Sequence, residues 1–395
     1  MMLGASFSTN LDKIQQQVQD GNNQPKEFPS SEFWMNAKNY TVDNLQNLAL
    51  GRAVFEKKLG GLSALRLGTE YWHTNYKPKF NDTLFKQVDN YSAAFAEGSI
   101  YLSKDLAAQV GARVEHSSLI NRSDVAPRVS LAYKTGKSSQ VSVAWGIFYQ
   151  KPESQQLYNS SNIGFTKATH YIMNYQKIYN QRTFRVEAYY KKYDELIKQV
   201  PIGYNYFSYN NSGSGYAKGL DVFFRDKKTI KDFDYWISYS FIDTKRDYMN
   251  YPVSLQPNFV ASHTASVVTK KFFMDIKSGF NLTYSWASGR PYYNIMPAGG
   301  NKFYIADQGK TQDYSSLNFS AEWVPSIGKE NAKSFIVLFA SVNNLLGSSQ
   351  VSGYNYSFNG SIKSPVTPPA KRFYFIGCFI SWGVDRTQDA INNNL

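Results

Sequence analysis

Cysteine is almost absent from this 395-residue chain. Its single copy, Cys378, permits no intrachain disulfide and no thiolate metal site. Histidine is nearly as scarce: His73, His116, His170 and His263 stand apart, with no His-x-x-x-His pair and no cysteine partner. No run approaches the roughly 18 to 20 apolar residues of a spanning helix, which excludes a helical membrane protein. There is no Gly-x-Ser-x-Gly elbow, and Ser212-Gly213-Ser214-Gly215 suits a loop rather than a phosphate cradle. The start, Met1-Met2-Leu3-Gly4-Ala5-Ser6, has neither the basic region nor the apolar core of a secretory signal. If the mature protein is exported, a longer precursor is expected. No catalytic site, cofactor or metal is expected.

Aromatic residues are abundant instead. Tyr 30, Phe 27 and Trp 7 make 16% of the chain, against 18% charged residues, and this excludes wholesale disorder. The formal charge of +13 raises a polyanion or an anionic surface as a partner, and the placement of that charge decides between them.

The dominant pattern has period two, the spacing of strands rather than helices. Phe184, Val186, Ala188 and Tyr190 alternate with Arg185, Glu187, Tyr189 and Lys191. Leu106, Ala108, Val110, Ala112 and Val114 alternate with Gln109, Gly111, Arg113 and Glu115. Sixteen strands are expected: 2–10, 44–57, 62–76, 91–103, 106–116, 126–134, 139–149, 166–178, 181–193, 214–225, 232–243, 259–269, 274–287, 312–324, 334–345 and 371–384. Most are longer than the five or six residues (about) typical of globular strands, and they suit tilted membrane-spanning strands of about 9 to 11 residues.

A soluble sandwich also alternates, so the connections must separate the two readings. Long connections (11–43, 77–90, 117–125, 150–165, 194–213, 244–258, 288–311, 346–370) alternate with short ones (58–61, 104–105, 135–138, 179–180, 226–231, 270–273, 325–333). Long loops at one rim and tight turns at the other are the outer-membrane barrel arrangement. The expected fold is therefore all-β, an antiparallel transmembrane up-and-down β-barrel. Residues 1–384 form the barrel and 385–395 a polar tail.

The charge sorts the same way. Fourteen basic side chains, among them Lys57, Lys58, Lys270 and Lys271, lie in or beside the short turns, against five acidic ones. Most of the surplus therefore belongs to one rim. A nucleic-acid stripe would interleave it with aromatics on one accessible face, so no nucleic-acid partner is expected.

Read in order, the segments resemble the C-terminal barrel of TonB-dependent outer-membrane receptors. The resemblance is carried by Ala93 to Glu97 with Leu106 to Glu115, which closes in Gly111-Ala112-Arg113-Val114-Glu115. Ala126-Pro127-Arg128, Gly146 to Pro152, Gly219-Leu220-Asp221-Val222, Ser288-Gly289-Arg290-Pro291-Tyr292, Val342 to Leu346 and Arg372 to Gly377 continue it. Such barrels have about 22 strands, so sixteen imply the C-terminal part of a receptor, without plug domain or TonB box. The family's last strand usually ends the chain at an aromatic residue, whereas Asp385 to Leu395 continue past it here.

The resemblance implies extracellular long loops and periplasmic lysine-rich turns, in the outer membrane of a Gram-negative bacterium. Ligand contact is expected from aromatic loop tips: Tyr204, Tyr206, Phe207 and Tyr209; Tyr248 and Tyr251; Tyr292, Tyr293 and Tyr304; Tyr354 and Tyr356. Tyrosine gives a large, stiff contact with a hydroxyl, although girdle or loop packing explains the same residues. Arg290 suits an anionic ferric siderophore. Arg66, Glu70, Arg113, Glu115, Arg185 and Glu187 are expected to line the wall facing the plug. The implied function is energy-coupled uptake of a ferric chelate, cobamide or glycan. Its partners are outer-membrane lipid, lipopolysaccharide and, through the plug region, the TonB complex. A passive pore or non-functional fragment, a loop adhesin, and an outer-membrane protease or lipase built on His116, Asp194 and Glu195 are the alternatives.

Overall fold

The structure, a computed structural model, describes residues 1–26, 28–29, 38–81, 83–160, 162–203, 206–328, 334–357 and 360–383. All sixteen expected strands are present, and five shorter ones lie in the connections. In chain order they are β1 Met2–Gln16, β2 Tyr40–Gly60, β3 Ser63–Phe80, β4 Thr83–Leu84, β5 Gln87–Tyr101, β6 Leu106–Ser117, β7 Arg122–Gly136 and β8 Ser139–Gln150. A short helix, α1 Ser154–Asn159, follows. Then come β9 Thr166–Tyr179, β10 Arg182–Gly203, β11 Tyr206–Asp226, β12 Phe233–Asp247, β13 His263–Phe273, β14 Ser278–Ala287, β15 Pro291–Ala298, β16 Lys302–Lys310 and β17 Tyr314–Trp323. The last are β18 Ser334–Asn343, β19 Gly353–Tyr356, β20 Lys363–Val366 and β21 Phe373–Trp382. The expected tail, 385–395, lies outside the described residues.

The chain divides into two compact units, 1–130 with 146–165, and 131–145 with 166–395. In the first, β1, β2, β3, β5 and β6 pair antiparallel in that order. Gly60 and Gly61, at φ 126 and 55, turn β2 into β3, a conformation that glycine adopts without steric cost. One face of this sheet exposes Phe55, Leu67, Tyr71, Val110 and Val114. The other carries Arg52, Glu56, Arg66, Glu70, Arg113 and Glu115. Apolar side chains left exposed opposite a charged, partly covered face invert the plan of a soluble sheet and match a strand between lipid and a polar interior.

In the second unit the antiparallel order is β9, β10, β11, β12, β13, β14, β17, β18, β21. Asn180 and Gln181, at φ 50 and 59, join β9 to β10 in two residues, and positive φ at both central positions matches the twist of the flanking strands. Leu220, Ile237, Val267, Leu282 and Tyr284 are exposed on one face. At the short-turn end, Phe272, Val324, Ile327 and Phe335 form a buried cluster with Val337 packed against it. Each such buried side chain contributes about 1.5–3 kcal/mol.

Five connections differ from expectation. The turn between β13 and β14 is 274–277, not 270–273. Lys270 and Lys271 are strand residues whose charges lie over the Trp236 and Phe273 rings. The connection expected at 117–125 shrinks to 118–121, and most of 194–213 is strand, so β10 and β11 project as one long hairpin. Glu195, at φ 55, sits at the register shift that keeps them paired past Tyr193. The segments 288–311 and 346–370, expected as loops, each contain a two-stranded hairpin.

Candidate functional site

Period two places every second side chain of β2, β3, β5 and β6 on the polar face, and the register brings opposite charges together. Arg66 lies opposite Glu56 and Glu97, and Arg52 opposite Glu70. Arg66 Nε is 2.6 Å from Glu56 and Arg66 Nη1 3.9 Å from Glu97. Arg113 reaches Glu70 at 2.8 Å and Glu115 at 3.2 Å. Arg52 meets Glu70 at 3.3 Å, and the Tyr91 hydroxyl donates to Glu115 at 2.5 Å. Four of the six expected wall residues thus fall into two ion-paired rungs across adjacent strands, Glu56–Arg66–Glu97 and Arg52–Glu70–Arg113–Glu115. The other two belong to the second unit. There Glu187 accepts from Asn174 at 3.3 Å, and the Arg185 guanidinium lies 5.8 Å from the Phe223 ring.

At the long-loop end of β5, Asp89 gathers three segments. Its carboxylate, with a side chain 3% exposed, pairs with Lys151. It also accepts from Ser117 Oγ at 2.8 Å and from the Leu119 amide at 3.1 Å. Asp89 pairs in register with Thr74, three residues past Tyr71, an exposed aromatic of β3, and so lies beyond the apolar band. Burial pushes its carboxyl up, and Lys151, Ser117 and Leu119 together more than offset that, leaving it below the usual carboxylate range. The Gln87 amide donates to Ser154 O at 3.1 Å in the same region.

The expected loop tyrosines of the second unit fall into two groups. In the first, Tyr251 packs edge-on against Tyr248 and Tyr293, with ring centroids 5.0 and 5.7 Å away. It is only 6% exposed. Lys198, paired with Asp247, donates to the Tyr251 carbonyl at 2.6 Å, and Tyr293 Oη donates to Gln256 O at 3.1 Å. Burial pushes the Tyr251 hydroxyl up, reinforced by Tyr248.

The second group joins two hairpins. Tyr292 of β15 and Tyr354 of β19 meet edge-on at 4.6 Å. Lys363 of β20 lies over both rings, 4.0 and 4.5 Å from their centroids, and 5.9 Å from that of Tyr356. Its ammonium donates to Tyr292 Oη at 2.6 Å and to Asp307 of β16 at 2.9 Å. Tyr356 Oη donates to the same carboxylate at 2.6 Å. These bonds, Tyr356 first and Lys363 next, hold Asp307 below the usual carboxylate range. Burial and the neighbouring Asp307 push the Tyr356 hydroxyl up to about 12. Bonds to Tyr292 and Asp307 raise the Lys363 ammonium.

Arg290 is fixed through its backbone, which donates to Thr311 Oγ1 at 3.0 Å. Its guanidinium has no hydrogen-bond or ion-pair partner among the described residues. Tyr204 lies outside the described residues, as does the side chain of Tyr206. Of the residues considered for an enzyme, His116 Nδ1 is 2.9 Å from Ser123 Oγ and Asp194 pairs with Lys192 at 2.9 Å. Among the described residues no cluster of three or more His, Cys, Asp or Glu forms a metal site. Sequence reasoning missed Lys363, Asp307, Asp89 and Lys151. The Tyr354-x-Tyr356 spacing signalled one shared face, but nothing local announced the lysine that fills it.

The family described as TonB dependent receptor-like, beta-barrel, matches residues 3–345. No curated protein sequence matches the chain. Among solved structures it is similar to the ferric enterobactin receptor PfeA of Pseudomonas aeruginosa in complex with enterobactin. The TM-score is 0.71 at 12% identity, covering 96% of this chain and 60% of that one. It is also similar to the outer membrane transporter YddB from Escherichia coli (TM-score 0.66, 12% identity, 87% and 55% covered). The copper transporter OprC gives a TM-score of 0.67 at 12% identity, with 87% and 58% covered. The chain thus spans a little over half the length of these structures. Antiparallel strands with one apolar and one ion-paired face, and the matched residues, lead to one assignment: this chain belongs to the TonB-dependent receptor-like β-barrel family.

Proposed function

We propose that the chain supplies the wall and outer loops of an outer-membrane receptor, in a Gram-negative bacterium, that takes up a large scarce nutrient such as a ferric siderophore. What supports this is that one chain carries both a face lined by ion-paired charges, in its first unit, and hairpins rich in tyrosine, in its second. The first suits a wall against which a polar plug is seated and moved, and the second suits capture. Similar structures are named for a ferric enterobactin receptor and a copper transporter, so the receptor role is supported more strongly than the cargo. TonB engagement, through parts of the protein beyond this chain, and lipopolysaccharide contact around the apolar face belong to the same reading. No catalytic role is proposed.

Within the loops, Arg290 is the residue best placed for an anionic chelate, because its guanidinium is uncommitted among the described residues. Tyr248, Tyr292, Tyr293, Tyr354 and Tyr356 contribute rim surface, and Tyr204 and Tyr206 are included on the sequence alone. Buried Tyr251 packs against Tyr248 and Tyr293. The test is growth of a strain carrying Arg290→Ala in the intact gene on defined ferric chelates. Impaired growth on one anionic chelate, with unchanged surface expression, is expected. Wild-type growth on every iron, cobamide and glycan source after deletion of the gene would overturn the uptake reading.

A further inference from the structure

The second tyrosine group is an occupied cation site. Two ring faces meet at 60° and a third ring stands farther out. The carboxylate of Asp307 adds an anionic side, and the site stays open to solvent on another, with the Lys363 side chain 34% exposed. Three aromatic rings and one carboxylate are the composition that selects an ammonium over an anion or a neutral group. The site is built into the backbone. Gly309 lies opposite Tyr292 in register, and a β-carbon there would stand 2.4 Å from Tyr292 Oη. Only a residue without a side chain lets the ring lie flat across the hairpin and present its face.

The occupant comes from the chain itself. Lys363 sits on a hairpin of four residues per strand, and an isolated two-stranded hairpin is marginal in water. The position of β19–β20 therefore depends on what it docks against.

We propose that Tyr292, Tyr354, Tyr356 and Asp307 form an ammonium-binding site in which Lys363 acts as a tethered ligand, latching the β19–β20 hairpin onto β15–β16, and that external organic ammonium groups compete for the same place. A ligand tethered on a short flexible segment has an effective concentration in the millimolar range (about). A simple amine therefore displaces Lys363 only at higher concentration, whereas a ligand held by further loop contacts does so more readily. The inference does not depend on the transported cargo.

The test uses the full chain folded in detergent, with Cys378→Ser and a spin label at Ile362→Cys, an exposed position beside the latch. Lys363→Ala is expected to mobilise the label, as is Lys363→Met, which keeps the stem but not the charge. Propylammonium is expected to re-immobilise the label in Lys363→Ala, and propionate is not. By saturation-transfer NMR, Lys363→Ala should bind propylammonium at least tenfold more tightly than the wild type, and adding Tyr354→Ala should abolish that binding. A label equally immobile in wild type and both lysine variants would overturn the latch. Equal propylammonium binding by wild type and Lys363→Ala would overturn the site. Neither readout measures uptake, so failure here leaves the receptor reading standing.

Discussion

Replacing Asp89 by alanine tests whether the loops of the first unit are held by one carboxylate. The side chain is nearly sealed from solvent and joins β5 to Lys151 and to the turn after β6. A hydrogen bond to a charged group contributes about 1.5–3 kcal/mol, and removing one partner of a buried pair costs about 3–5 kcal/mol. These figures overlap rather than add, because Lys151 remains 31% exposed and can rehydrate. A local cost of about 3–5 kcal/mol corresponds to an increase in the opening constant of roughly a hundred-fold to a few thousand-fold, at about 1.4 kcal/mol per decade. Hydrogen exchange read by mass spectrometry on peptides spanning 117–121 and 151–159 should report it, with the central ladder between β5 and β6 unchanged. Asp89→Asn keeps the shape and loses the charge, and should fall between. A change below about threefold in both peptides would show that packing, such as Phe85 against Tyr158 at 4.9 Å, holds these loops, and the argument would fail.

Arg113→Ala removes the ion pair of Glu115, only 8% exposed, leaving it the Tyr91 hydroxyl, and leaves Glu70 with Arg52 alone. It should cost about 3–5 kcal/mol and lower the temperature at which the folded form is lost in heat-modifiability gels, with Arg113→Lys recovering part of the loss. Gly309→Ala should drive the Tyr292 ring off its hairpin, at about 1–3 kcal/mol of overpacking, read as faster exchange in 291–310. The latch should also be bounded by pH. Asp307 has a lowered folded pKa, so its contribution is complete above its unfolded value, near 3.9 (about), and is lost as pH falls through the folded one. Lys363 has a raised pKa, so its contribution is complete below about 10.4 and is lost as pH rises through the folded value. Label mobility at Ile362 should therefore be flat between about pH 4 and 10, and a midpoint near 7 would refute this assignment.

The strands were legible because each alternates apolar and polar residues over many positions, and a sheet with one face in lipid tolerates few exceptions. Lys270 and Lys271 show where that reading slips. Two adjacent charges suggest a turn, yet one points to each face and lies over an aromatic ring, while Lys277, at φ 52, makes the bend. The hairpins at 291–310 and 353–366 were hidden by Pro291, Pro297 and Pro365, which read as loop punctuation although each tolerates an edge position. Of the site, the charges of the polar face were readable from parity alone. Their partners followed from register, which no single strand specifies. The latch was not readable, because Lys363 and Asp307 are 56 residues apart and meet only when two separate hairpins dock.

The turn from β9 to β10 has a consequence for how such a protein changes. Two residues, both at positive φ, leave no slack for an insertion without breaking the register of two strands. The tip of β15–β16 is exposed at Gly299, Gly300 and Asn301 and has open space around it. Residues added at that tip leave every paired position of β15 and β16 in register, whereas residues added at the β9–β10 turn displace two strands of the large sheet. Change in length is therefore cheap at the tip of β15–β16 and costly at the two-residue turn between β9 and β10.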